Sequence, residues 1–127
     1  MIETFAFADL LGMSLGEDAD SPDGRDSIVR LEAGEQHLNI AGTVHGGVLA
    51  SMIDTAMGRA VRSVTEETTA TSQLTVTFLD PAKPGSLVAT ARVTKRGSML
   101  TIVEAEVEQD DKPIAHALAT FALLKKR

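Results

Sequence analysis

The sequence of 127 residues contains no cysteine, which excludes disulfides, thiolate metal ligation and a thiol nucleophile together. Covalent or acid–base chemistry must therefore draw on Asp, Glu, His, Ser or Lys. Tryptophan and tyrosine are also missing, and four phenylalanines are the whole aromatic complement. Proteins that stack nucleobases on aromatic side chains need more than this. Basic residues are the minority, 12 against 18 acidic, and the net charge of −6 argues against nucleic acid or another bulk polyanion as partner. No apolar run approaches the roughly 18–20 residues of a membrane-spanning helix. The start, MIETFAFADLLGM, carries Glu3 and Asp9 where a secretory leader has basic residues and then an apolar core. The expected location is the cytoplasm, with no membrane partner. The length suits one domain and leaves no room for a separate cofactor domain.

What is present has a clear order. Ile2, Phe5, Leu10 and Leu11 fall at roughly helical spacing and predict a short N-terminal packing helix. The polar, Gly- and Asp-rich stretch 14–26 reads as turn and loop. Residues 27–32 form a first strand, and a glycine-rich polar loop follows. Residues 48–64 are the one strong helical segment, apolar at Leu49, Met52, Ile53, Ala56, Met57, Ala60, Val61 and Val64. Its other positions, Ser51, Asp54, Thr55, Gly58, Arg59 and Arg62, share one narrow stripe, so the helix is buried on most sides. After it the period becomes two: Leu74, Val76 and Phe78, then Leu87 to Val93, then Val103 to Val107, with a nearly continuous apolar run over 114–124. Short connections between these strands predict an antiparallel meander. One helix on one face of a sheet is an α+β layout, a single domain over residues 1–127 in which 1–24 form the N-terminal helix and loop.

Chemistry concentrates at His37-Leu38-Asn39-Ile40-Ala41-Gly42-Thr43-Val44-His45-Gly46-Gly47, which opens the buried helix. The first backbone N–H groups of a helix have no intrahelical partner. Glycines leave them unobstructed for negative charge or for a polarised carbonyl. Asp54 is a carboxylate midway along an otherwise apolar helix, costly unless paired or hydrated. Its plain structural use is pairing with Arg59 or Arg62. Gly58, one turn later on the same face, serves either close packing or open space beside the carboxylate.

Asn39-x5-His45-Gly46-Gly47-x6-Asp54, then Thr71-x6-Phe78-Leu79-Asp80-Pro81-Ala82 and Lys95-Arg96-Gly97, resembles the hotdog-fold acyl-CoA thioesterases of the PaaI and 4-hydroxybenzoyl-CoA type over about residues 35–124. The resemblance implies a hotdog fold, an antiparallel sheet wrapped around a long central helix, in homodimers with a continuous sheet and in homotetramers. It implies hydrolysis of acyl-CoA to free acid and CoA, with no cofactor beyond the CoA of the substrate; His37 with His45 makes no recognised metal set, so no metal is expected. By the same resemblance Asp54 is the catalytic base or nucleophile, and Gly46 supplies the N–H that polarises the thioester carbonyl, with Gly47 a lesser candidate. Asn39 orients the water or the carboxylate, His45 orders the loop, and Thr71 contributes a hydroxyl, with Ser72 in its place if the loop is offset by one. A hydratase or dehydratase of acyl thioesters and a non-catalytic acyl-CoA binding module are the alternatives.

Spacing adds a constraint. Gly46 and Asp54 are eight residues apart, hence about 12 Å along one helix, whereas both must approach a single thioester within about 3–3.5 Å. The expectation is a site shared by two chains. The CoA phosphates need local positive charge, for which Lys95, Arg96 and the backbone of Gly97 and Ser98 are the first candidates, with Lys83, Arg62 and the Lys125-Lys126-Arg127 tail in addition. Many relatives carry Arg where this chain has Asp80, a departure that bears on phosphate contacts. Phe78, Met57 and Gly58 are placed to line a slot for an acyl group. His116 inside the last strand reads as structural, His37 as a loop residue without a partner, and Asp110-Asp111 as a hairpin turn.

Overall fold

The computed structural model describes residues 5–16 and 26–124. In chain order these form α1 (Ala6–Leu11), β1 (Met13–Leu15), β2 (Ser27–Ala33), a 3-10 turn (Glu35–His37), α2 (Gly46–Arg62), β3 (Thr68–Phe78), β4 (Gly85–Arg96), β5 (Leu100–Gln109) and β6 (Lys112–Leu124). Ile2 and the 125–127 tail lie outside the described residues, as does most of the stretch expected to be loop. The six strands make one antiparallel sheet in the order β1-β2-β4-β5-β6-β3, and α2 packs across one face of it. Among the described residues no helix is long and apolar enough to cross a membrane.

The apolar spacing of α2 does what it predicts. Met52, Ile53, Ala56 and Met57 have no exposed surface. The sheet meets them with small residues, Ala89, Ala91, Ala105, Ala117 and Ala119, all buried. With Leu87, Val103, Val107 and Phe121 also buried on the sheet side, large and small side chains of both layers share the core. The helix begins two residues before the first apolar position, because His45 caps it and accepts the Gly47 N–H on Nδ1 at 2.8 Å.

Two expectations change. The strands do not form a simple meander, since β3 pairs with β6 and not with β4. Residues 79–84 contain Pro81 and Pro84 and are too stiff and too long for a tight turn. They run along the end of the sheet, bonded to Ile114 O through the Leu79 N–H at 2.8 Å and to the Val44 N–H through Ala82 O at 2.9 Å. By contrast β5 and β6 join through Asp110 and Asp111, both with positive φ, the two-residue turn that suits a twisted hairpin. The second change is β1, which lies partly inside the expected loop: Met13 and Leu15 point into the core with Ser14 outward, three residues being too few to show a period.

α1 packs less than its spacing suggests. Of its six residues only Ala8 is fully buried, and Gly12 ends it at φ +82°, donating to Ala8 O and Asp9 O. A helix this short has little stability of its own and depends on ties. His37 supplies one. It is 3% exposed, accepts the Gly34 N–H on Nδ1 at 2.9 Å and meets Leu11 O with Nε2 at 2.6 Å. A carbonyl only accepts, so the ring proton sits on Nε2. The histidine expected to lack a partner therefore joins the loop before α2 to the end of α1. His37→Ala leaves both the Leu11 carbonyl and the Gly34 N–H without that partner and should lower stability by about 1–3 kcal/mol, read as a reduced urea midpoint with an unchanged slope.

Candidate active site

The polar stripe of α2 is the wall of a cleft. Ser51, Asp54, Thr55, Gly58, Arg59 and Arg62 line an open depression of about 760 Å³, whose opposite wall is the first half of β3 with Thr71. Asp54 is partly buried there. Its Oδ1 accepts a hydrogen bond from Thr71 Oγ1 at 2.7 Å. Neither arginine takes the carboxylate in an ion pair. Arg59 reaches the other way, donating from Nη1 to Ile28 O at 3.1 Å and from Nη2 to Gly16 O at 2.5 Å, so it clamps β2 and the end of β1 to the helix.

Thr71 meets Asp54 because the sheet is irregular at that point. Thr71 pairs with Phe121 and Gln73 with Thr120, leaving Ser72 as the extra residue of a β-bulge. Ser72 turns away from Asp54, with Oγ at 3.0 Å from Thr120 O and 2.7 Å from Thr120 Oγ1. Thr71 therefore meets the carboxylate, and the Ser72 hydroxyl bonds within the sheet. Gly58 leaves space. A Cβ built on it meets nothing closer than Phe121 Cε2 at 3.8 Å, so within the chain it stands beside open space.

Gly46 lies in a second, smaller cleft of about 270 Å³, together with Asn39, Thr43, Phe78, Asp80 and Ala82. The Phe78 ring stands over Gly46, where a Cβ would come within 3.2 Å of it. The polar groups of this loop are largely spent on one another. Asn39 Oδ1 accepts from the N–H groups of Ala41 and Thr43 at 3.0 and 3.1 Å, and its Nδ2 donates to Thr43 Oγ1 at 3.0 Å. Asn39 therefore closes its own five-residue loop rather than reaching toward Asp54 of the same chain. The Gly47 N–H is taken by His45. Gly46 donates to no protein acceptor among the described residues. Asp80 pairs with Lys112 at 3.5 Å.

Several expected site residues are not brought together. Lys95, Arg96, Gly97 and Ser98 end β4 and begin the turn to β5, mostly exposed, and they line neither cleft. Arg96 pairs with Thr101, Thr101 with Phe121, and Phe121 with Thr71. Three strand spacings separate Arg96 from Thr71 along that row, roughly 14 Å. His116 is exposed on the outer face of the sheet, and Met57 is sealed in the core. Among the residues lining the Asp54 cleft that local sequence pattern does not point to as site residues are Phe5, Phe7 and Phe121. Only the pairing of β6 with β3 places Phe121 there, and the two N-terminal rings arrive from 47 or more positions away in the chain.

The sequence profile described as the thioesterase superfamily matches residues 41–115. A protein of Halobacterium salinarum named as an esterase is 37% identical over 110 residues, covering 84% of this chain and 72% of its own length. Acyl-coenzyme A thioesterase 13 of Mus musculus is 30% identical over 82 residues, 63% of this chain and 59% of that one. Among solved structures, a Bacillus halodurans protein crystallised with CoA has a TM-score of 0.87 at 30% identity, covering 98% of this chain and 82% of that one. The E. coli PaaI protein from the phenylacetic acid degradation operon has 0.84 at 28% identity, with 96% and 86% covered.

The open space at Gly58 has a stability consequence. Glycine inside a helix costs about 1 kcal/mol relative to alanine, and a methyl group here makes ordinary van der Waals contact with Phe121. Gly58→Ala should therefore stabilise the fold by about 0.5–1 kcal/mol, measured by urea unfolding, while filling part of the cleft floor.

Proposed function

The chain belongs to the thioesterase superfamily, whose members cleave thioesters, and we propose that it releases CoA from acyl-CoA at a site built by two copies of itself. One observation carries the reading: Asp54 stands half-open in a cleft, held through Oδ1 by a neutral hydroxyl, with no protein donor on Oδ2 among the described residues. An ionised carboxylate has about four acceptor positions. Held by one donor, it has room to bind and deprotonate a water.

The complementary group is the Gly46 N–H. In one chain it lies about 12 Å along α2 from Asp54, too far for both to act on one carbonyl. The sheet supplies a way to bring a second copy near. β3 is an end strand of 11 residues, TTATSQLTVTF, without a single charge, whereas exposed edges are usually blunted by charge, proline or shortness. Antiparallel pairing of two such edges centred on Leu74 sets Thr71 opposite Thr77 of the second copy and Ala70 opposite its Phe78. Phe78 is the ring that covers Gly46, so this pairing carries the Gly46 cleft of one chain toward the Asp54 cleft of the other. Two equivalent sites result.

In the reaction, water held on Asp54 attacks the thioester carbon and passes its proton to the carboxylate. The carbonyl oxygen, now an anion, is stabilised by the Gly46 N–H at the positive end of α2. Collapse breaks the C–S bond, and the CoA thiolate leaves and is protonated. Direct attack by Asp54, giving an anhydride that water then opens, uses the same groups. Arg62 at the cleft and the Lys95-to-Ser98 turn on the same face are the groups for the CoA phosphates, at a separation that suits a ligand with distant reacting and charged ends. Exposed Leu100, Ile102, Leu118 and Leu124 at alternate positions on the outer face of β5 and β6 favour further pairing of dimers into a tetramer.

Asp54→Asn should lower kcat by about 10²–10⁴-fold with the fold intact. Gly46→Pro removes the N–H while keeping the helix start, because proline suits the first helical position and His45 already has the extended ψ of 134° that a following proline requires; the added ring asks the Phe78 side chain to give by a few tenths of an ångström. Each variant alone should be inactive. Mixed dimers of the two should recover one working site in two, assayed as thiol release; heterodimers that form yet stay inactive refute the shared site.

A further inference from the structure

We propose that Phe5 and Phe7 are the wall that reads the apolar body of the acyl group, so that the N-terminal segment sets acyl-length preference; this rests on the reading of the Asp54 cleft as the reacting site. Three observations combine. Both rings line that cleft with Asp54, Thr71, Gly58 and Phe121. Each is left about half exposed, 43% for Phe5 and 49% for Phe7, although a short helix gains its stability from the apolar surface it buries. Leu10, on the same helix at 79% exposure, is not a lining residue, so the contact with the cleft belongs to the two phenylalanines and not to α1 as a whole.

The wall is held at its far end. The Leu11 carbonyl is tied to His37, Gly12 closes the helix with two bonds to its own last turn, and Arg59 fixes the Gly16 carbonyl. The start of α1, which carries the two rings, has no side-chain cap. Tethers behind and an apolar overhang in front make a surface that a ligand can complete. Phe121, 3% exposed, forms the floor, and Gly58 provides the opening between floor and wall. The chemistry selected is an acyl group with an extended apolar body. Short or polar acyl groups do not reach the rings and gain nothing from them.

The test uses non-hydrolysable S-alkyl-CoA thioethers from butyl to decyl, titrated calorimetrically into the full-length chain, with thioester turnover measured in parallel. Affinity for the unmodified protein should rise about fourfold per added methylene, the gain expected from burying one CH₂. In Phe5→Ala/Phe7→Ala the gain should fall below twofold per methylene. Leu10→Ala should keep the original slope, which separates the wall from a general loosening of α1. An unchanged slope in the double variant overturns the proposal, as does a flat slope in the unmodified protein. Conversion of the double variant to monomer, seen by light scattering, also overturns it, since the rings would then serve the subunit contact. A rising slope in a protein that hydrolyses no thioester would leave the wall standing and remove the hydrolytic reading instead.

Discussion

Burial of α2 governs the rest of the molecule. Eight of its 17 residues are buried, and fully burying an Ile or Met side chain contributes about 1.5–3 kcal/mol, so the helix cannot lie on a surface. A sheet supplies that cover only by curling around the helix, and curling brings backbone close to backbone. Alanines along the inner positions of β4, β5 and β6 allow this approach, and the thickness of the core comes from Met52, Ile53 and Met57 on the helix. The unusual pairing order follows as well: β2 before the helix and β4 after it lie side by side, so the chain encloses α2 between them and the returning β3.

The cover cannot be complete, and the site lies where it stops. A stripe of six positions faces the gap between α2 and β3, and every polar choice along it is used differently. Ser51 bonds back to its own helix at Gly47 O, Arg59 binds β1 and β2, Gly58 is empty, and Asp54 takes one hydroxyl. The loop before α2 shows the same economy. His45 engages Gly47, Asn39 engages Thr43, and His37 engages Gly34 and Leu11. Among the groups left open, one acceptor oxygen on Asp54 and the Gly46 N–H stand out. A carboxylate at the half-buried middle of a helix and an N–H at its positive end are opposite tools, and the rigidity of α2 keeps them about 12 Å apart. That separation is too long for both to reach one carbonyl carbon from the same chain.

The features legible in the sequence are those governed by a single period or by one short motif. The stripe Ser51, Asp54, Thr55, Gly58, Arg59, Arg62 is readable because helical geometry alone puts those residues on one line, and all six line the cleft. The strands β4 and β5 are readable because inward and outward positions alternate, and β6 because it is a nearly continuous apolar run. What stays hidden depends on distant parts of the chain. β1 is too short to show a period, and β3 leaves its expected neighbour because proline stiffens the connection and β6 offers a longer partner. His37 looks idle until Leu11, 26 residues earlier, is seen to meet it. The bulge at Ser72 has no local signature, yet it decides which hydroxyl reaches Asp54.

The phenylalanines show how a scarce residue type can be informative through its placement. Aromatic side chains normally dominate the energetics of a core, but this core is aliphatic, and its largest sealed side chains are Met52, Ile53, Met57, Leu87 and Ile114. All four phenylalanines of the chain line the clefts: Phe5, Phe7 and Phe121 around Asp54, and Phe78 over Gly46. Of the four only Phe121 is buried. The folded chain thus keeps three large flat apolar surfaces partly in water, a cost of about 25 cal/mol for each Å² left exposed, at the two clefts that hold Asp54 and Gly46. The core has no need of the three exposed rings, so their use is to be sought in what enters the clefts.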